Sequence, residues 1–173
     1  MDGIIEFGKI LLPAGVVLYA MYLVVKSFLN KEIEKKAFEV RSKNTETVLP
    51  IRLQAYERMC LFLERIAPDN LLIRLNDASY SSKHFQQILL AEIRNEFNHN
   101  LSQQIYMSDE AWELVRSAME EIIATINEAS GQMTDDAKSV DLAKKIIDLM
   151  MNKPTDPVRD ALKMLKNEIR VSF

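Results

Sequence analysis

The sequence predicts an all-α protein: a single N-terminal transmembrane helix, a charged helical stalk, then a compact bundle of about four main helices plus a short one. Three observations carry this. From residue 47 onward, apolar residues recur at three- and four-residue spacing, the period of one helix face. No stretch alternates apolar and polar residues long enough to compete as a strand. The 173 residues include only four glycines, Gly3, Gly8, Gly15 and Gly131. That scarcity excludes glycine-rich phosphate loops, which need close backbone approach. With 48% apolar and 27% charged residues the composition is globular. One cysteine, Cys60, excludes an internal disulfide and a zinc knuckle.

Residues 1–26 read as a membrane anchor. Ile10 to Val25 is a run of sixteen residues without a charge. As a helix it spans about 24 Å, against a hydrocarbon core of about 30 Å. Ile4, Ile5 and Phe7 extend it upstream, and Phe28 and Leu29 downstream. Tyr19 and Tyr22 suit an interfacial belt. A cleaved signal peptide fits poorly, because Asp2 and Glu6 spoil its basic region and no small-residue cleavage site follows. An in-plane amphipathic helix would need a polar face, which residues 10–25 lack. A buried core helix is the remaining competitor. Before the run stands Lys9; after it come Lys26, Lys31, Lys35, Lys36, Arg41 and Lys43. This positive-inside asymmetry places the N-terminus outside and the C-terminal part in the cytoplasm.

Residues 27–46 are highly charged and form the expected stalk. The bundle, residues 47–173, then begins. Pro50 suits a helix first turn, and Leu53, Tyr56, Cys60, Leu63 and Ala67 follow on one face until Pro68 stops the helix. Asp69 or Asn70 can cap a short helix over 71–75. Residues 76–82 form a polar loop, and Ser81 or Ser82 caps the next helix, with Phe85, Ile88, Leu89, Ile93 and Phe97 inward, continuing toward Leu101 and Ile105. Ser108-Asp109-Glu110 starts a helix striped by Trp112, Val115, Met119, Ile122, Ile126 and Ala129. Gly131 sits where a left-handed C-terminal cap is expected. Thr134-Asp135-Asp136 starts a helix with Val140, Ala143, Ile147 and Met150 on one side. Asp156-Pro157 starts the last, with Val158, Leu162, Leu165 and Ile169 inward.

Catalytic chemistry finds little support. Glu92, Glu96 and His99 share a helix face and are the weak metal candidates, but the second Glu-x-x-His pair that a helical di-iron bundle requires is missing. Cys60 lies on the apolar face and reads as a core thiol. The sequence calls for no cofactor. Residues 44–173 carry 15 Lys and Arg against 20 Asp and Glu, a balance of −5 that argues against nucleic acid. Residues 108–136 hold eight acids against Arg116 alone, a solvated face or a surface for a basic partner.

Three stretches, PIRLQAYERMCLFLERIAPDNLLIRL at 50–75, EIRNEFNHNLSQQIYMSDEAWELVRSAMEEI at 92–122 and ALKMLKNEIR at 161–170, resemble an uncharacterised Bacteroidota family of small proteins with an N-terminal anchor and a helical cytoplasmic domain. Asn98 to Tyr106, running into Ser108-Asp109-Glu110-Ala111-Trp112, is its most distinctive segment. The resemblance implies the same layout and brings no activity or site residues.

The expected function is a membrane-tethered cytoplasmic adaptor or accessory subunit, bound to the bilayer through residues 10–25 and to an unidentified protein. Asn98, Asn100, Gln103, Gln104, Asp109, Glu110 and Glu113 are its candidate partner contacts. A homo-oligomer with a coiled-coil stalk is the alternative; an enzyme ranks third.

Overall fold

A computed structural model describes the backbone of residues 2–171, and the side chains of residues 15–36, 38–39 and 46–171. Among the described residues the protein is all-α, with six α-helices and one 3-10 segment. The helices are α1 (Asp2–Ile66), α2 (Pro68–Leu75), α3 (Ser82–Asn100), α4 (Asp109–Gly131), α5 (Ser139–Met151) and α6 (Pro157–Val171), with the 3-10 segment at Leu101–Tyr106. The chain divides into two compact units, Met1–Val48 and Leu49–Phe173.

The first unit is the N-terminal part of α1. Its apolar side chains from Val16 to Val25 are exposed on every face of the helix. Among the described residues no helix is long and apolar enough to cross a membrane. The expected span begins at residues 10–14, whose side chains lie outside the described residues. Counted from Gly15, eighteen residues take in Lys26, Lys31 and Glu32.

In the second unit one apolar core joins all six helices. Tyr56, Met59, Phe62, Leu63 and Ile66 of α1 enter it with Leu71 and Leu72 of α2 and Phe85, Leu89 and Ile93 of α3. Helix α4 lies against α3, α5 and α6. It contributes Ala111, Val115, Ala118, Ile122, Ile126 and Ala129. Leu142 and Ile146 of α5 and Val158, Ala161, Leu162 and Leu165 of α6 complete the core.

Local signals fixed three helix starts as expected. Ser81 Oγ accepts from His84 N at 3.3 Å, Ser108 Oγ from Ala111 N at 3.1 Å, and Asp156 Oδ1 from Arg159 N at 3.1 Å. Each side chain satisfies an amide that the helix itself leaves unpaired.

Several expectations need correction. This unit has five longer helical segments, not four, because each of the five apolar stripes forms its own helix. Pro50 does not start a helix but stands inside α1. Its fixed φ is helical, so the chain continues through it with the loss of one backbone hydrogen bond, and the two units divide nearby. Helix α2 begins at Pro68 with Ala67 as N-cap. Neither Asp69 nor Asn70 caps it; Asn70 Nδ2 instead donates to Glu64 O at 2.8 Å. The α3 stripe does not run on through Leu101 and Ile105: the chain tightens to 3-10 there and both residues are exposed.

Helix α5 starts at Ser139, not at Thr134. Thr134–Ala137 forms a turn, with Ala137 N donating to Thr134 O. Ser82 N then donates to Ala137 O and Ser139 N to Tyr80 O, and this short antiparallel bridge between Ser81 and Lys138 holds Lys138 extended. The helix therefore buries Leu142 and Ile146, while Val140 and Ile147 of the expected stripe are exposed.

Gly131 is no left-handed cap. No described residue has a positive φ, and Gly131 is the last residue of α4, with Gln132 as C-cap. A Cβ there would meet nothing within 4 Å. Gly131→Ala should therefore stabilise the protein by about 0.5–1 kcal/mol, the helix-propensity difference. Urea unfolding checks this; a destabilised variant would show that the glycine is needed.

Candidate functional site

The α3–α4 connection gathers most of the residues singled out as partner contacts. Two arginines of α1 pin its ends. Arg58 Nε donates to Asn100 Oδ1 at 3.3 Å, and Arg52 Nε to Tyr106 O at 3.1 Å. Met107 enters the core directly after. The intervening 3-10 turn is thus held at both ends while its middle faces solvent, with Ile105 74% exposed. Asn98 and Gln104 are exposed and Gln103 is half-buried, its Nε2 donating to Ser102 Oγ at 3.2 Å.

Asn100 belongs to a different class. It is only 7% exposed, and its Nδ2 donates to Glu96 O at 2.8 Å. With Arg58 on its other side, it is an internal joint rather than a partner contact. Asp109, Glu110 and Glu113 are exposed on the first turns of α4. Glu113 pairs with Arg116 at 2.6 Å, which leaves Asp109 and Glu110 as the open acids of that edge. Both also favour the helix start through the dipole.

Glu92 and Glu96 are engaged by guanidinium groups. Glu92 Oε1 lies 2.5 Å from Arg74 Nη1, and Glu96 Oε1 2.6 Å from Arg65 Nη2. These pairs tie α3 to the end of α1 and to α2. Among the described residues no three His, Cys, Asp or Glu side chains are grouped to hold a metal ion, so Glu92, Glu96 and His99 do not assemble a site.

One polar junction joining three parts of the fold was not visible in the sequence. Glu168 on α6 accepts from Tyr56 Oη of α1 at 2.5 Å, from Ser108 N at 2.9 Å and from Ser108 Oγ at 2.8 Å. Arg52 Nη2 stands 4.0 Å from the same carboxylate. Burial acts to raise the Glu168 pKa, but the Tyr56 and Ser108 hydrogen bonds, with Arg52 behind them, outweigh it and hold the carboxyl below its usual range. Burial, then the Glu168 hydrogen bond, pushes the Tyr56 phenol up to about 12. Ser108 Oγ donates to Glu168 while it accepts from Ala111 N, so the hydroxyl is committed to capping rather than to attack. The Ser108 cap is readable from sequence; its partner sixty positions away leaves no local signal.

Two further features carry no chemistry of their own. Cys60 is half-buried and burial pushes its thiol up, the opposite of an activated nucleophile. A cleft of about 590 Å³ opens between the α1–α2 junction, the end of α5 and the start of α6, lined by Pro68, Met150, Met151, Val158 and Leu162 with Glu64 and Asp69 at its edge. Lys153 at its rim is spent on Glu121 at 3.0 Å and Thr125 at 2.7 Å.

A family model described as a family of unknown function (DUF7935) matches residues 2–172. No curated protein and no solved structure matches the chain.

Proposed function

The chain belongs to DUF7935, a family of unknown function, over residues 2–172; from that premise we propose that it is a membrane-tethered helical module that binds another protein, an adaptor or accessory subunit at the bacterial cytoplasmic membrane. The observation that carries this is the exposure of Val16 to Val25 on every side of α1. A partner helix would require one apolar stripe, whereas acyl chains cover all faces alike. The anchor comprises Ile10–Val25, with residues 10–14 supplying the length that the described part lacks. Lys26, Lys31, Lys35, Lys36, Arg41 and Lys43 then keep the following segment in the cytoplasm.

Protein binding is assigned to the 3-10 turn and the adjoining start of α4. Ile105 offers an exposed apolar contact, and Asn98 and Gln104, also exposed, add amide donors and acceptors on the same connection, with half-buried Gln103 beside them. Asp109 and Glu110 add negative charge that favours a basic partner surface. Tethering confines both partners to one surface and so raises their effective concentration, which lets a small contact suffice.

The test is membrane fractionation of the full chain together with a reporter fused after Phe173. The protein should resist alkaline extraction from membranes and the reporter should be active only in the cytoplasm. Release by alkali would refute the anchor, and periplasmic reporter activity would refute the orientation.

A further inference from the structure

Helix α5 carries more apolar surface than the core uses. Its apolar side chains span about 200° of the helix, since each residue advances about 100°. Leu142 and Ile146 are buried, and Ala143, Leu149 and Met150 pack against the core. Val140, Ile147 and Met151 remain, and they are 37%, 43% and 80% exposed. Helix α2 runs antiparallel beside α5. At one end Ser139 Oγ donates to Asp77 O at 2.6 Å, just past α2; at the other, Pro68 and Asp69 share the cleft with Met150 and Met151. Ile73, one turn from Asp69, is 83% exposed on the outer side of α2.

Along the polar edge of this stripe stand Lys144 and Asp148, both exposed. They are one turn apart, and neither makes an ion pair among the described residues. Their order matters. Two α5 helices packed antiparallel about a two-fold axis at the level of Ile146 place Lys144 of each copy beside Asp148 of the other. The same operation sets Val140 beside the second copy's Met151 and brings the two Ile147 side chains together at the axis. A two-fold interface must be self-complementary in this way. A foreign partner would have to reproduce that charge order; a second copy presents it automatically.

We propose that the exposed α5 face, Val140, Ile147 and Met151 edged by Lys144 and Asp148, docks the same face of a second copy in a two-fold dimer. The proposal rests on the second unit alone and does not depend on the assigned membrane anchor.

The test is sedimentation velocity of the full chain in a density-matched mild detergent, over a concentration series. The wild type should form dimers. Lys144→Glu sets Glu against Asp148 at both symmetric sites, and Asp148→Lys sets Lys against Lys144. Each should weaken dimerisation at least about tenfold, and the double exchange should restore it. Ile147→Asp should be monomeric. All three positions are exposed, and circular dichroism verifies that the variants fold. A wild type that stays monomeric overturns the proposal, whatever else the face binds. So does a dimer indifferent to the single charge reversals, which would be held elsewhere on the chain, or a double variant as weak as the singles.

Discussion

Replacing Phe62 by Ala should cost about 4 kcal/mol of unfolding free energy, the value for deleting a buried phenyl group together with the cavity it leaves. Phe62 is fully buried on α1, and its ring lies 5.8 Å from that of Phe97, tilted by 51°. Phe97 in turn stacks on Trp112 at 5.4 Å. This row of rings bridges α1, α3 and α4, and its tilted and stacked contacts add to the simple burial of area. The ring cannot be replaced by local relaxation, because Met59, Leu63 and Ile66 beside it are already buried in the same core. A loss of about 4 kcal/mol is a large share of the 5–15 kcal/mol that holds an ordinary domain together, so the variant should unfold at a much lower urea concentration. Its neighbour Leu61, exposed on α1, provides the comparison: Leu61→Ala should shift stability by less than about 0.5 kcal/mol. Urea titration followed by Trp112 fluorescence measures both. A Phe62→Ala loss below about 2 kcal/mol would mean that the ring row is not a principal support.

Removing the Glu168 side chain should cost about 2–3 kcal/mol, the range for leaving donors to a charged acceptor without their partner. The carboxylate accepts from the Tyr56 hydroxyl of α1 and from the amide and hydroxyl of Ser108, the N-cap of α4. Glu168→Ala leaves Tyr56 Oη and Ser108 N without that acceptor and frees the N-terminus of α4 from α6. Glu168→Gln keeps the shape and loses the charge, and should cost about half as much, since neutral hydrogen bonds are roughly half as strong as charge-assisted ones. Arg52 Nε would still hold Tyr106 O, so the damage should stay at the start of α4, readable as faster amide exchange at Ser108 to Ala111.

The pH dependence of that contribution follows from the two displaced pKa values. Glu168 is lowered on folding, so its stabilisation is present above the unfolded value near 4.3 and is lost as pH falls through the folded value. Tyr56 is raised to about 12, so its share is complete below the unfolded value near 10 and is lost as pH rises through about 12. The stability gap between wild type and Glu168→Ala should therefore be flat from about pH 5 to pH 9 and narrow on both sides. A gap that changes between pH 6 and pH 8 would point to some other titrating group.

How much of this architecture was legible depended on the range of the interaction. Ser81, Ser108 and Asp156 were readable as caps because a cap reaches an amide only three residues away. The face carrying Val158, Leu162 and Leu165 was readable because α6 has one apolar side, so its phase leaves no choice. Helix α5 was misread for the opposite reason. Ile146 and Ile147, or Met150 and Met151, can each turn inward, and nothing within the helix selects between them. The bridge from Ser81 to Lys138 selects: it delays the helix to Ser139 and places Leu142 and Ile146 against the core. Gly131 was misread because glycine permits a left-handed turn without requiring one. Among the candidate contacts, Asn100 could not be told from Asn98 by type; only the arrival of Arg58 beside it makes it a joint.

The sequence by itself determined the all-α class, the presence of five amphipathic segments in the second unit and the helix starts at Ser81, Ser108 and Asp156, since these depend on periodicity and capping within a few residues. It also determined where the charge-free run lies and which flank is basic. Tertiary structure alone decided which of two apolar faces α5 buries, that Glu92 and Glu96 pair with Arg74 and Arg65, and that Glu168 closes a junction with Tyr56 and Ser108. Those outcomes join residues distant in the chain. Their energies come from burial and from hydrogen bonds that exist only once the helices have packed, so no local pattern encodes them.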